Sequence, residues 1–309
     1  MDEKMHKRAI EKAVEPKFHG KKHLKSKVNP SYPESMEREY LRIINGYMRI
    51  LNKLVHSYLP NISAAAQEEF TTAARYDSRE HFFAELRMIF AKLYTELETE
   101  LDLFGLRSRL EKLAGQVVKN RTREWKKIVH TTLGIDLMND YYTEVFYQEL
   151  IHAWIELNVD LIQTIPHETL SNMQEIIYDG FRNGKTKRYM SAEIQNVYGI
   201  SKRHAQFIAR DQMAKLNAKV TKRQQEDAGV TEYIWRDSGD SRVRDSHKRL
   251  HGKKFSWNEP PIVDFKTGRR CHPGEDFNCR CTASPVFDLS TLDVPASLQN
   301  ESEVIHVKV

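Results

Sequence analysis

Between Ser35 and Asp227 apolar residues return every three or four positions, a spacing that puts them on one face of an α-helix and commits most of the chain to helices. Leu41, Ile44, Met48, Leu51, Val55 and Tyr58 form the first stripe, with Pro60 as the expected stop. Phe83, Leu86, Phe90, Leu93, Leu97 and Leu101 form a second that ends near Gly105. A third runs from Leu110 and Leu113 through Trp125 to Val129 and ends near Gly134, and a fourth holds Val145, Phe146, Leu150, Trp154 and Ile155. Beyond Pro166, Leu170, Met173, Ile177 and Phe181 lead to Gly184, a C-terminal stop. Ser191 then caps a short helix to Tyr198, Gly199 makes a turn, and Ser201 caps a longer helix to about Asp227. Long stripes with short connections predict an antiparallel helical array whose methionines and aromatics pack in a core.

After Gly229 the texture changes. Val230–Arg236 is β-branched and aromatic and reads as a strand, Asp237–Asp240 as a turn, Val243–Leu250 as a short helix. Lys253–Trp257 and Cys281–Phe287 read as further strands around an irregular loop. The expected fold is therefore mainly α, an elongated helical array, with a small C-terminal α+β domain. The boundaries read as a basic flexible arm over 1–33, a helical region over 34–228, the α+β domain over 229–287, and a tail over 288–309. For 309 residues, about two domains is the ordinary expectation.

Charge is distributed unevenly. The net is +5, yet residues 1–28 alone carry nine basic and four acidic side chains, 29–181 carry 16 and 23, and 182–254 carry 18 and 8. No stretch reaches the roughly 18–20 apolar residues of a membrane span, and the basic N-terminus lacks an apolar signal core, which argues against membrane and secreted classes. Cys271, Cys279 and Cys281, an odd number without an export signal, argue against a disulfide scaffold and for a reducing compartment.

Three functional classes follow from these residues. Lys21 and Lys22 in the arm, Lys202, Arg203, Arg210, Lys215 and Lys219 on the last long helix, and Arg242 and Arg244 after the turn are candidate contacts to nonspecific double-stranded DNA. The outline helix, glycine turn, basic helix over Ser191–Asp227 also fits a stand-alone helix-turn-helix regulator. Asp237, Asp240, Asp245 and His247 within eleven positions fit a metal-dependent nuclease, although Arg236, Arg242, Arg244, Lys248 and Arg249 offer each acid an ordinary ion pair. No P-loop, GxSxG or HExxH motif occurs, so the chain reads as a non-enzyme. Three cysteines in eleven positions supply thiolates for a structural zinc ion, with His247, His251 or His272 as the fourth ligand; packing residues on a closing strand are the alternative. A domain of about 60 residues has a marginal core, so a metal staple makes physical sense.

IARDQ (Ile208–Gln212), the strand ending in Trp235, RVRDSH (Arg242–His247), Gly252, Pro273-Gly274 and NCRC (Asn278–Cys281) occur in an order and spacing that resemble the head-morphogenesis family of tailed bacteriophages, minor head proteins similar to protein F of phage Mu. The resemblance extends upstream over residues 115–287 through Gly134-Ile135-Asp136 and NVDLIQTIP. It implies a minor capsid protein that joins the portal protein and the scaffolding or major capsid protein in the host cytoplasm, stays inside the head, and touches packaged DNA or affects its delivery. It also favours His247 as the histidine that joins Cys271, Cys279 and Cys281 in a zinc site.

Overall fold

A computed structural model describes residues 3–72, 77–300 and 303–305. The fold is mainly α with a small antiparallel β region near the C-terminus. Helix α1 spans Glu3–Phe18 and strand β1 His23–Lys25; α2 (Glu34–Thr72), α3 (Asp77–Leu103) and α4 (Leu106–Leu133) follow. After the two-residue strand β2 (Asp136–Leu137) and a 3-10 turn at Val145–Tyr147 come α5 (Gln148–Arg182) and α6 (Lys187–Asp227). The remainder is β3 (Glu232–Arg236), α7 (Asp245–Lys248), β4 (Lys254–Ser256), β5 (Ile262–Asp264), β6 (Arg269–Arg270), β7 (Thr282–Asp288), β8 (Ala296–Asn300) and β9 (Glu303–Ile305).

Gly105, Gly134 and Gly184 end helices with φ of +66°, +74° and +63°, as their positions in the sequence predict. Three other punctuation marks read differently. Pro60 lies inside α2 and Pro166 inside α5, because apolar residues on both sides of each are buried: Leu54, Ile62 and Ala65 around the first, Ile162, Ile165 and Leu170 around the second. Burial of a flanking stripe outweighs the backbone hydrogen bond that proline removes. Gly199 makes no turn either; α6 runs through it unbroken. The helix-turn-helix outline is absent, since its two helices are one.

The chain divides into two compact units. Unit 2 comprises Arg38–Lys112 and Ile155–Ala209. Its helices meet through aromatic rings, Phe82 edge-on to Phe181 at 4.8 Å and Phe83 stacked on Tyr178 at 5.7 Å. Gly180 lets α5 accept Met190 of α6 so closely that a Cβ would lie 2.2 Å from its sulfur.

Unit 1 gathers Met1–Glu37, Leu113–Trp154 and Arg210–Val309. The expected flexible arm is part of it. Ile10, Val14 and Phe18, spaced four apart on α1, are buried, and β1 pairs with β7, His23 opposite Asp288. Proline and lysine content hid this apolar stripe. The main sheet is antiparallel in the order β1-β7-β3-β4, with Trp235 opposite Ala283. Its core holds Tyr233, Trp235, Leu250, Trp257, Val263, Cys279 and Cys281. The second half of α6 supports this sheet, where Gln225 donates to Ala283 O at 2.9 Å and accepts from Trp257 Nε1 at 3.1 Å. The segment after Asp288 is likewise not a loose tail: Leu292 and Val294 are buried and Ala296 pairs with Leu137. Residues 301–302 and 306–309 of the expected tail lie outside the described residues. Unit 2 carries 17 basic and 17 acidic residues, so the net +5 sits entirely on unit 1, with 31 and 26.

Candidate functional site

The site forms where α7, the loop before β7 and α6 converge within unit 1. Arg244 stands extended at the N-terminus of α7 (φ −63°, ψ 145°), and the single turn that follows buries His247 edge-on against Trp235, ring centres 5.4 Å apart. Opposite lies the Asn278–Cys281 turn. Asn278 has φ +51°, a left-handed conformation that asparagine tolerates better than most residues. Its amide donates to Asp211 Oδ1 of α6 at 3.0 Å, which fixes the turn. Nearby, Gly274 (φ +86°) leaves room for Ala218, whose Cβ would lie 3.0 Å from a Cβ at that position. The IARDQ, Pro-Gly and NCRC segments thus serve one construction, with Asp211 and the glycine holding the cysteine turn in place.

His247 Nδ1 lies 3.4 Å from Cys279 Sγ and 3.6 Å from Cys281 Sγ, and all three donor atoms fall within 4.8 Å of one another. The other ring nitrogen, Nε2, is 3.1 Å from Asp276 Oδ2. Asp276 is buried and gripped on its remaining lone pairs by Arg244 Nη1 at 2.5 Å and Arg269 Nη2 at 3.1 Å. Arg244 also donates to Phe277 O. Burial pushes the His247 imidazole down, but hydrogen bonds to Asp276 and Cys279 outweigh it and hold the group up at about 9. Burial raises the Asp276 carboxyl, yet His247, the Phe277 amide and the two arginines bring it down to about 2. The hydrogen bond from Cys281 and the neighbouring imidazole hold the Cys279 thiol well below its ordinary value, and the Cys281 thiol is pushed up in turn by Cys279 and by burial.

Of the four residues expected to hold zinc, the fold brings together His247, Cys279 and Cys281. Cys271 stands outside the group. It follows β6, its amide bonded to Pro261 O at 3.2 Å, and packs half-buried on the apolar core. His251 turns to Asp237 at 3.0 Å, and His272 bonds the Tyr233 hydroxyl at 2.9 Å. Asp240 pairs with Arg280 and Asp245 with Lys248, so the acids of the nuclease reading are tied to bases and none joins the His–Cys group.

The nine DNA-contact candidates are scattered. Lys202 and Arg203 are exposed on unit 2, Lys202 over the Tyr198 ring at 5.2 Å. Lys21 and Lys219 are exposed on unit 1. Lys22 reaches Asp288 at 3.6 Å, Lys215 is bound to Asp211 at 2.7 Å, and Arg210 to Glu37 at 3.3 Å. Arg210, Arg242 and Arg244, however, line one cavity of about 140 Å³ together with Arg280, His247 and Cys279. Arg280, Asp276, Asp211 and Arg269 were not legible as site residues. Asp211 and Arg280 had a signal, lying within IARDQ and NCRC, and Asp276 stands three positions before Cys279; Arg269 had none of its own.

Residues 171–284 match the family described as phage Mu protein F like protein, a narrower span than the 115–287 read from sequence. An uncharacterized protein of Haemophilus influenzae (strain Rd) is 33% identical over 185 residues, which is 59% of this chain. The chain spans 40% of that protein's length. No solved structure gives a significant match. Among the described residues no helix is long and apolar enough to cross a membrane.

Proposed function

We propose, from the match of residues 171–284 to the family described as phage Mu protein F like protein, that this chain is a minor head protein of the head-morphogenesis type. In this reading it joins the portal vertex during procapsid assembly in the host cytoplasm, beside the scaffolding or major capsid protein, and remains inside the head. Its role is structural rather than catalytic. The observation that carries the reading is that the matched segment holds both the cysteine turn and the α6 residue Asp211 that fixes it. Co-expression with the portal, scaffolding and major capsid proteins of the same phage, followed by sedimentation, tests it. The chain is expected in the procapsid fraction when portal is present; its absence there overturns the role.

Contact with packaged DNA is the finer part of the proposal. It is supported by the location of the whole positive excess on unit 1 and by exposed Lys21 and Lys219. Such binding is nonspecific, through phosphates, and weakens steeply with salt. Filter binding to random duplex between low and physiological salt is expected to show that decline, and salt-insensitive or absent binding overturns it. A sequence-reading regulator is disfavoured by the unbroken α6.

A further inference from the structure

We infer that His247 Nδ1, Cys279 Sγ and Cys281 Sγ bind one zinc ion, with Asp276 as the outer carboxylate that orients the imidazole and water as the fourth ligand. The donor chemistry selects the metal: two thiol sulfurs and an imidazole suit zinc, whereas magnesium and calcium take oxygen. The distances suit it as well. Bonds of about 2.0 Å to nitrogen and about 2.3 Å to sulfur at tetrahedral angles place the two ligand atoms about 3.5 Å apart. The imidazole nitrogen lies 3.4 and 3.6 Å from the sulfurs.

Orientation is settled by the second nitrogen. Nε2 is engaged by Asp276 at 3.1 Å, which leaves Nδ1 as the metal-facing atom, the usual carboxylate–histidine–metal relay. Asp276 cannot swing away, because Arg244 and Arg269 hold it, and the cysteine turn cannot open without breaking the Asn278 amide bond to Asp211. The donors arrive from a short helix and from the turn before the central strand. An ion among them therefore ties α7 to β7 inside a small core. The group contains no fourth protein donor among the described residues, and the cavity lined by His247 and Cys279 supplies both a route of entry and the water. Cys271 is not a ligand.

The same distances also fit sulfur hydrogen bonds to imidazole, so the test reads the metal itself. The full chain, purified without chelator, is expected to carry one equivalent of zinc. Cobalt added after zinc removal is expected to give a thiolate-to-cobalt charge-transfer band with tetrahedral visible bands. Cys279→Ser and Cys281→Ser each remove the band, Cys271→Ser keeps it, and Asp276→Asn weakens zinc binding about 10–100-fold. Less than about 0.1 equivalent of zinc with no cobalt band in the unsubstituted chain overturns the site. Loss of the band in Cys271→Ser overturns this ligand set. Since the deciding measurement is made on the unsubstituted chain, an unstable variant does not leave the question open.

Discussion

At the scale of single residues, backbone geometry sets sharper limits than side-chain volume. Gly229 follows α6 with φ +73°, and a Cβ there would stand 1.9 Å from the carbonyl oxygen of Thr291. That oxygen belongs to backbone anchored by the Asp293 amide, which donates to Ala228 O at 3.0 Å, so it has no room to withdraw. Gly229→Ala is expected to cost at least about 2 kcal/mol in unit 1, from left-handed strain and the clash together, read as a lowered urea midpoint. In unit 2 the buried Tyr40 hydroxyl donates to the buried Asn158 side chain. Tyr40→Phe is expected to cost about 1–3 kcal/mol by thermal unfolding, because it takes a donor from a buried acceptor. The Asp276–His247–cysteine arrangement shows why sites resist reading from sequence: His247, Cys279, Cys281 and Asp211 sit in recognisable motifs, whereas Asp276 and Arg269 lie outside them and matter through the atoms they hold.

Among elements, α6 tests how far local signals can be trusted. Its stripe, from Ala205 to Val220, was legible as a helix face, and Gly199 read as a turn because glycine is the commonest punctuation. The helix runs through it all the same, because one glycine in a long helix costs only about 1 kcal/mol relative to alanine. A Cβ on Gly199 would meet only Arg203 Nη1 at 3.8 Å, an ordinary contact, and its φ is not positive. Gly199→Ala is therefore expected to stabilise the chain by about 0.4–1 kcal/mol; a loss of stability in calorimetry would restore the turn. Strand β1 makes a second case. Lysine and proline around it concealed three residues that need only β7 as a template, and no local pattern announces a neighbour 265 positions away. The pair has an acid dependence. Burial raises the Asp288 carboxyl, but hydrogen bonds from the Ser290 hydroxyl and amide and the charges of Lys22 and His23 bring it below its ordinary value. Its stabilisation is complete above the unfolded value near 3.9 and is lost as pH falls through the lower folded value. Asp288→Asn is expected to flatten the acid limb of melting temperature against pH.

For the whole molecule, the division into units recasts the charge. Along the chain it reads as a basic arm, an acidic body and a basic segment; in space one unit is neutral and the other carries all of the excess. Neutralising exposed lysines on unit 1 isolates the electrostatic contribution to DNA binding. Lys21→Gln and Lys219→Gln are each expected to reduce the slope of log affinity against log salt by about 1 for every phosphate left without its cation, with melting temperature unchanged. The mainly helical class was legible because periodicity is a local property. The composition of unit 1 was not, since it is assembled from three separated stretches. Its central sheet joins His23 to Asp288 across 265 positions of sequence. A ribosome making this chain therefore releases α1 and β1 long before their partner strand exists, and unit 1 closes only after β7 has emerged, so its maturation is timed by translation itself.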